Sequence, residues 1–136
     1  IYWNNGIVSW ESRTQPSVAK STTESEYMAM AETASEMIWH LSVARDIKVG
    51  IYGPITLFED NQGAIEVSRG GGSHAKMRHI RTADSYIWQE FKINKTIDLR
   101  YVASADNISD MFTKALGPVI FTRLRDILMR NHISTK

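Results

Sequence analysis

Ile55-Thr56-Leu57-Phe58-Glu59-Asp60-Asn61-Gln62-Gly63-Ala64-Ile65-Glu66-Val67-Ser68 is the stretch on which the fold turns. Ile55–Asp60 reads as a short, mostly buried strand that starts after the break at Gly50–Gly53, and Gln62–Ser68 reads as a short helix. A second strand is read at 96–102, where Ile97, Leu99 and Tyr101 fall on one face and Asp98 and Arg100 on the other. Strand, helix, strand is the alternation of α/β sheets, whose ligands bind beyond the carboxyl ends of parallel strands. Asp60 stands at such an end. A carboxylate in the company of Ile55, Leu57 and Phe58 is costly unless a cation or hydrogen-bond donors meet it.

Outward from this stretch, the longest periodic signal runs from Thr22 to about Ile47. There Tyr27, Met30, Ala31, Ala34, Met37, Ile38, Leu41 and Ala44 recur at three- and four-residue spacing and predict a helix with one buried face. Two registers satisfy the capping-box pattern at its start, Ser21 with Glu24 or Thr23 with Glu26, and they give Glu26 different roles. Before it, residues 1–11 read as a hairpin turning at Asn5-Gly6. After Gly70–Ser73, read as a flexible loop, Met77, Ile80, Ala83, Ile87, Trp88 and Phe91 predict a helix over 77–93. Helices are expected over 107–130, the first capped by Asn107. The second starts at Gly117-Pro118 and carries an apolar stripe of Ile120, Phe121, Leu124, Ile127 and Leu128.

The 136 residues, 43% hydrophobic and 23% charged, suit one domain with a core, and no internal repeat divides them. With no cysteine there are neither disulfides nor thiolate metal sites, so a cytoplasmic setting, or a nuclear one, is expected. No apolar run approaches membrane-spanning length. Sixteen Lys and Arg against fifteen Asp and Glu leave a net charge of +1, so a nucleic-acid surface has to be local. The best local run is His74–Arg81, where Lys76, Arg78, His79 and Arg81 sit at a helix start and could position a phosphate backbone without reading sequence. Its plain alternative is a solvated charged face.

Three acids lie at three element junctions, Glu26, Asp60 and Asp110. Alone, each has an ordinary reading as a cap residue, a turn former or a solvated helix residue. Together they suit a divalent-metal site assembled from distant segments, because hard cations take oxygen ligands.

Ser9–Ser12 (Ser-Trp-Glu-Ser), Ser21–Ala29 (Ser-Thr-Thr-Glu-Ser-Glu-Tyr-Met-Ala), Glu59–Ile65, Lys76–Ile80 (Lys-Met-Arg-His-Ile) and Asp110–Leu116 (Asp-Met-Phe-Thr-Lys-Ala-Leu) resemble, in order and spacing, the RNase H domain of copia-type retrotransposon polyproteins. The resemblance spans nearly the whole chain. It implies an RNase H-like α/β fold, a mixed five-stranded sheet with flanking helices. The implied activity is cleavage of the RNA strand of an RNA:DNA hybrid with two Mg2+ ions, Mn2+ being an alternative. Glu26, Asp60 and Asp110 match the family's metal-binding catalytic acids, which favours Glu26 as ligand and leaves Glu24 to the Ser21 capping box. Ser21, Thr22, Thr23 and Gln62 match polar positions that meet the hybrid, where the 2′-hydroxyl distinguishes the RNA strand; ordinary capping is their alternative role.

Two features depart from the family pattern. The first catalytic aspartate belongs to a central first strand preceding the hairpin, and this sequence starts after that point, so the domain is expected to be partial, lacking that strand and its bridging ligand. An upstream reverse transcriptase segment of the same polyprotein is the expected partner, and the chain alone is expected to be inactive or nearly so. The loop before the late helix, Ala103–Asp106, holds no histidine, unlike cellular RNases H. The competing expectation is a non-catalytic remnant of a retroelement that binds nucleic acid weakly or serves structure only.

Overall fold

The computed structural model describes residues 1–3, 6–15, 19, 21–70 and 89–130. They are mixed α/β and fall into two compact units, one formed by 15–101 and the other by 1–14 with 102–136.

In the first unit, α1 runs from Thr22 to Asp46. Its start is fixed by Ser21, whose extended backbone ends the preceding segment and whose Oγ accepts the Glu24 N–H at 3.1 Å. The Ser21 register is therefore the one adopted, and Glu26 is left for another task. At the far end Lys48 takes a left-handed φ of 59°, and Val49 N–H returns to Ala44 O at 2.9 Å, which closes the last turn. Tyr27, Met30, Ala31, Ala34, Met37 and Ala44 are buried, as the periodicity requires, while Ile38 and Leu41 at the stripe's margin are half-buried. That face packs on α2 (Gln62–Ser68) and on strand β3 (Ile55–Glu59).

Strand β3 pairs in parallel with β4 (Ile97–Tyr101), Ile55 opposite Ile97 and Glu59 opposite Tyr101. The two-residue period puts Leu57, Glu59, Ile97 and Leu99 on the covered face. Phe58, on the other face, is 59% exposed, so the strand is covered on one side only. Tyr101, expected beside Ile97 and Leu99, is exposed because it ends the strand. Strand β3 itself stops at Glu59, one residue earlier than expected, since the Glu59 carboxylate Oε1 accepts the Asn61 N–H at 2.9 Å and turns the chain there.

Helix α2 has the expected bounds. Asn61 caps it through Oδ1, which accepts the Ala64 N–H at 3.1 Å, and Ser68 buries its hydroxyl by donating to Ala64 O at 2.8 Å. Arg69 then donates from Nη2 to Leu99 O at 3.2 Å and ties the helix end to β4. Of the helix expected over 77–93, only Gln89–Ile93 lies among the described residues, as a single π-helical turn. The loop positions Gly71–Ser73 lie outside them.

In the second unit, β1 (Tyr2–Trp3) and β2 (Gly6–Ile7) form an antiparallel hairpin with Trp3 opposite Gly6. Gly6 is thus a strand residue and not part of the turn, because the two residues between the strands are Asn4 and Asn5, outside the described set. Trp10 stacks on Phe112, ring centroids 5.6 Å apart.

The helix expected from Asn107 to Leu116 is corrected. A 3-10 turn at Ser104–Asp106 comes first, and α3 covers only Asp110–Thr113. Asn107 Oδ1 accepts the Ser109 N–H at 3.1 Å, a local two-residue turn that competes with capping. Asp110, expected inside a helix, therefore begins one. Helix α4 (Pro118–Arg130) opens on proline, whose missing N–H costs nothing there. Its Arg123 Nη1 pairs with Asp106 Oδ1 at 2.7 Å, and its Nη2 also donates to Ala105 O. Of the expected apolar stripe, Leu124 and Leu128 are buried, whereas Ile120, Phe121 and Ile127 are exposed.

The described strands thus form two two-stranded sheets, one antiparallel and one parallel. No described helix is long and apolar enough to cross a membrane.

Ala34 is fully buried on the packed face of α1, so Ala34→Leu overfills that contact and should lower unfolding stability by about 1–3 kcal/mol. Urea denaturation followed by circular dichroism measures this, and an unchanged midpoint would contradict the packing described.

Candidate metal centre

Two helix starts meet beside the end of β3, and a glycine permits it. A Cβ built on Gly63, in the first turn of α2, would lie 3.3 Å from the Thr23 side chain on α1 and 3.1 Å from Asn61 Oδ1. A side chain at this position would require the Thr23 side chain and the Asn61 cap to give way by a few tenths of an ångström. With glycine, the first turns of α1 and α2 lie side by side next to the β3 terminus.

The consequence is a cluster of three carboxylates. Oxygen atoms of Glu26, Glu59 and Asp60 all lie within 4.8 Å of one another. Glu26 sits one turn into α1, Glu59 is the last residue of β3, and Asp60 is the first residue after it. Glu26 and Asp60 are half-buried, and Glu59 is buried at 8% exposure.

The electrostatics follow from this placement. Burial pushes the Glu59 carboxyl up to about 7 from its ordinary 4.5, and the negative charges of Glu26 and Asp60 push in the same direction. The Asn61 N–H opposes them only in part. Near neutral pH this corner of the chain therefore calls for a proton or a cation. Oxygen-only donors in this number suit a hard divalent ion such as magnesium, calcium or manganese. The donor set and its excess of negative charge both fit such an ion.

Of the acids expected from sequence, the structure brings Glu26 and Asp60 together. Asp110 belongs to the other unit, where it is buried and its Oδ1 lies 2.8 Å from Lys114 Nζ. Glu59 was missed. Its signal is the period-two pattern itself: if Leu57 faces the core, so does Glu59, whereas the reading of a mostly buried strand singles out only Asp60 at its end.

Ser21, Thr22 and Gln62 are exposed at the two helix starts, and Thr23 lies beside Gly63. Ser21 also serves as a cap, so its capping role is the one described. Lys76, Arg78, His79 and Arg81 lie outside the described residues.

The chain is 29% identical over 121 residues to the "Retrovirus-related Pol polyprotein from transposon RE2" of Arabidopsis thaliana, and 29% identical over 121 residues to that from transposon RE1 of the same plant. It is 32% identical over 115 residues to the one from transposon TNT 1-94 of Nicotiana tabacum. These alignments cover 89%, 89% and 84% of the chain but only 8% of each polyprotein. No family model and no solved structure matches the chain. A mixed α/β chain that aligns along most of its length with one short stretch of these polyproteins, and that carries its clustered acids within that stretch, is a homologue of copia-type retrovirus-related Pol polyproteins.

Proposed function

We propose that the chain is the ribonuclease H domain of a retrotransposon Pol polyprotein, hydrolysing the RNA strand of RNA:DNA hybrids when joined to the reverse transcriptase segment that precedes it. The observation that carries this reading is the meeting of Glu26, Glu59 and Asp60 oxygens within 4.8 Å beyond the carboxyl end of a parallel strand. Two of those acids are the ones the resemblance assigns to cation binding. Asp110 enters through the resemblance alone, as the family's late acid.

When bound, magnesium would lower the pKa of an attacking water and stabilise the attacking and leaving oxygens of an in-line displacement. The chain's own residues do the positioning. Glu26, Glu59 and Asp60 supply the oxygen donors, held by the Asn61 N–H and by the helix starts that Gly63 lets approach. Exposed Thr22 and Gln62 would meet the hybrid's minor groove, where the 2′-hydroxyl marks the RNA strand. Glu59 adds a third carboxylate to the two acids that the resemblance assigns to this corner.

Cleavage is measured on a labelled RNA:DNA hybrid with the chain joined to its upstream polyprotein segment. Mg2+-dependent cutting of the RNA strand is expected, and Asp60→Asn should lower it on the order of 100-fold or more, since a direct ligand is lost. Undiminished cutting by Asp60→Asn would overturn the assignment. Salt-sensitive binding to hybrid and duplex DNA alike, with no cutting, would favour a non-catalytic remnant.

The Glu59 carboxyl supplies a pH test. Its folded pKa of about 7 exceeds the ordinary 4.5, so the folded state binds more protons across that interval. The stabilisation is fully present below pH 4.5 and is lost as pH rises through 7. Melting temperature of the cation-free chain should therefore fall from pH 5 to pH 8, and Glu59→Gln should flatten that slope. Equal slopes for the two proteins would contradict the buried-carboxyl account.

A further inference from the structure

Gln15 is the first residue of the unit that holds α1, and its side chain reaches ten residues ahead: Nε2 donates to Ser25 O at 2.7 Å. That carbonyl belongs to the first turn of α1 and directly precedes Glu26. Local bonds close the same turn. Ser21 Oγ accepts the Glu24 N–H, Ser21 O accepts the Ser25 N–H at 3.1 Å, and the Ser25 hydroxyl donates to Thr22 O at 2.8 Å. Each of these joins residues no more than four apart, so they loosen together when a helix end frays. The Gln15 bond differs in kind, because it ties the turn to a segment outside the helix.

The tie bears on Glu26. Its carboxylate meets those of Glu59 and Asp60 within 4.8 Å, and repulsion among them favours any motion that carries Glu26 away from the strand end. Fraying of the first turn is such a motion. A donor fixed on the carbonyl just before Glu26 opposes it, and a neutral amide does so without adding charge to the cluster.

We propose that Gln15 is a positioning residue of the carboxylate cluster, holding the first turn of α1 so that Glu26 stays within reach of a cation shared with Glu59 and Asp60. The inference rests on the reading of that cluster as a divalent-cation site.

The test is calorimetric titration of Mg2+ alone into the full chain, with amide hydrogen exchange of the cation-free chain followed in parallel. Gln15→Met keeps the length of the side chain and removes the donor; it should bind Mg2+ about fivefold more weakly, the affinity equivalent of ~1 kcal/mol. Gln15→Asn keeps the amide but is a methylene too short, and should weaken binding equally. In both variants the Ser25 amide should exchange faster, while that of Val49, bonded to Ala44 O at the far end of α1, is unchanged. In a Glu26→Gln background, Gln15→Met should leave Mg2+ affinity where Glu26→Gln alone puts it, an outcome that a general loss of stability would not produce. Unchanged Mg2+ affinity in Gln15→Met, or the same further loss in the Glu26→Gln background, would overturn the positioning role and leave the cation site standing. Mg2+ affinity that Glu26→Gln does not alter would overturn the reading of Glu26 as a ligand, and this inference with it.

Discussion

Repulsion among three carboxylates at the end of β3 is the constraint that the candidate site is built to hold. Glu59 is turned inward by strand alternation, Asp60 follows it directly, and Glu26 arrives on a neighbouring helix whose start is brought close by a glycine. Each placement has its own local cause. Their sum is a corner where a carboxyl is pushed up to about 7, mainly by burial and further by its neighbours' charge. Packing elsewhere in that unit pays for the arrangement: the buried face of α1 rests on α2 and β3, and Arg69 ties α2 to β4.

Much of this was legible in the sequence. The extent of α1 follows from its apolar period, with Ser21 as one of the two capping registers that the pattern allows, and the pair β3–β4 follows from two short strand patterns on either side of a helix. What escaped was decided by contacts rather than by pattern. The Glu59 carboxylate ended β3 a residue early by accepting the Asn61 N–H, and a strand covered on one face only made that residue an inward one. Asn107 turned its side chain to Ser109 N–H instead of capping a long helix, so Asp110 came to the front of a short one. Hydrophobic period says nothing of either choice, because both are made by single polar side chains with two feasible partners.

The two acid sites meet the same problem with different solutions. At the end of β3 three carboxylates gather, and one of them is pushed toward neutrality. At α3 a single buried carboxylate is covered by the ammonium of Lys114. Both arrangements fit a segment of a polyprotein whose relatives extend far beyond it, since the aligned stretch is 8% of each.

Paramagnetic broadening by Mn2+ in an amide NMR spectrum would show whether Glu26, Glu59 and Asp60 hold a cation as one site. At low Mn2+ the Glu26, Asp60, Asn61 and Gly63 amide signals should be lost selectively, with that of Asp46, about 30 Å along α1 from Glu26, retained. Broadening as strong at exposed Asp46 as at Asp60 would contradict a single cation site.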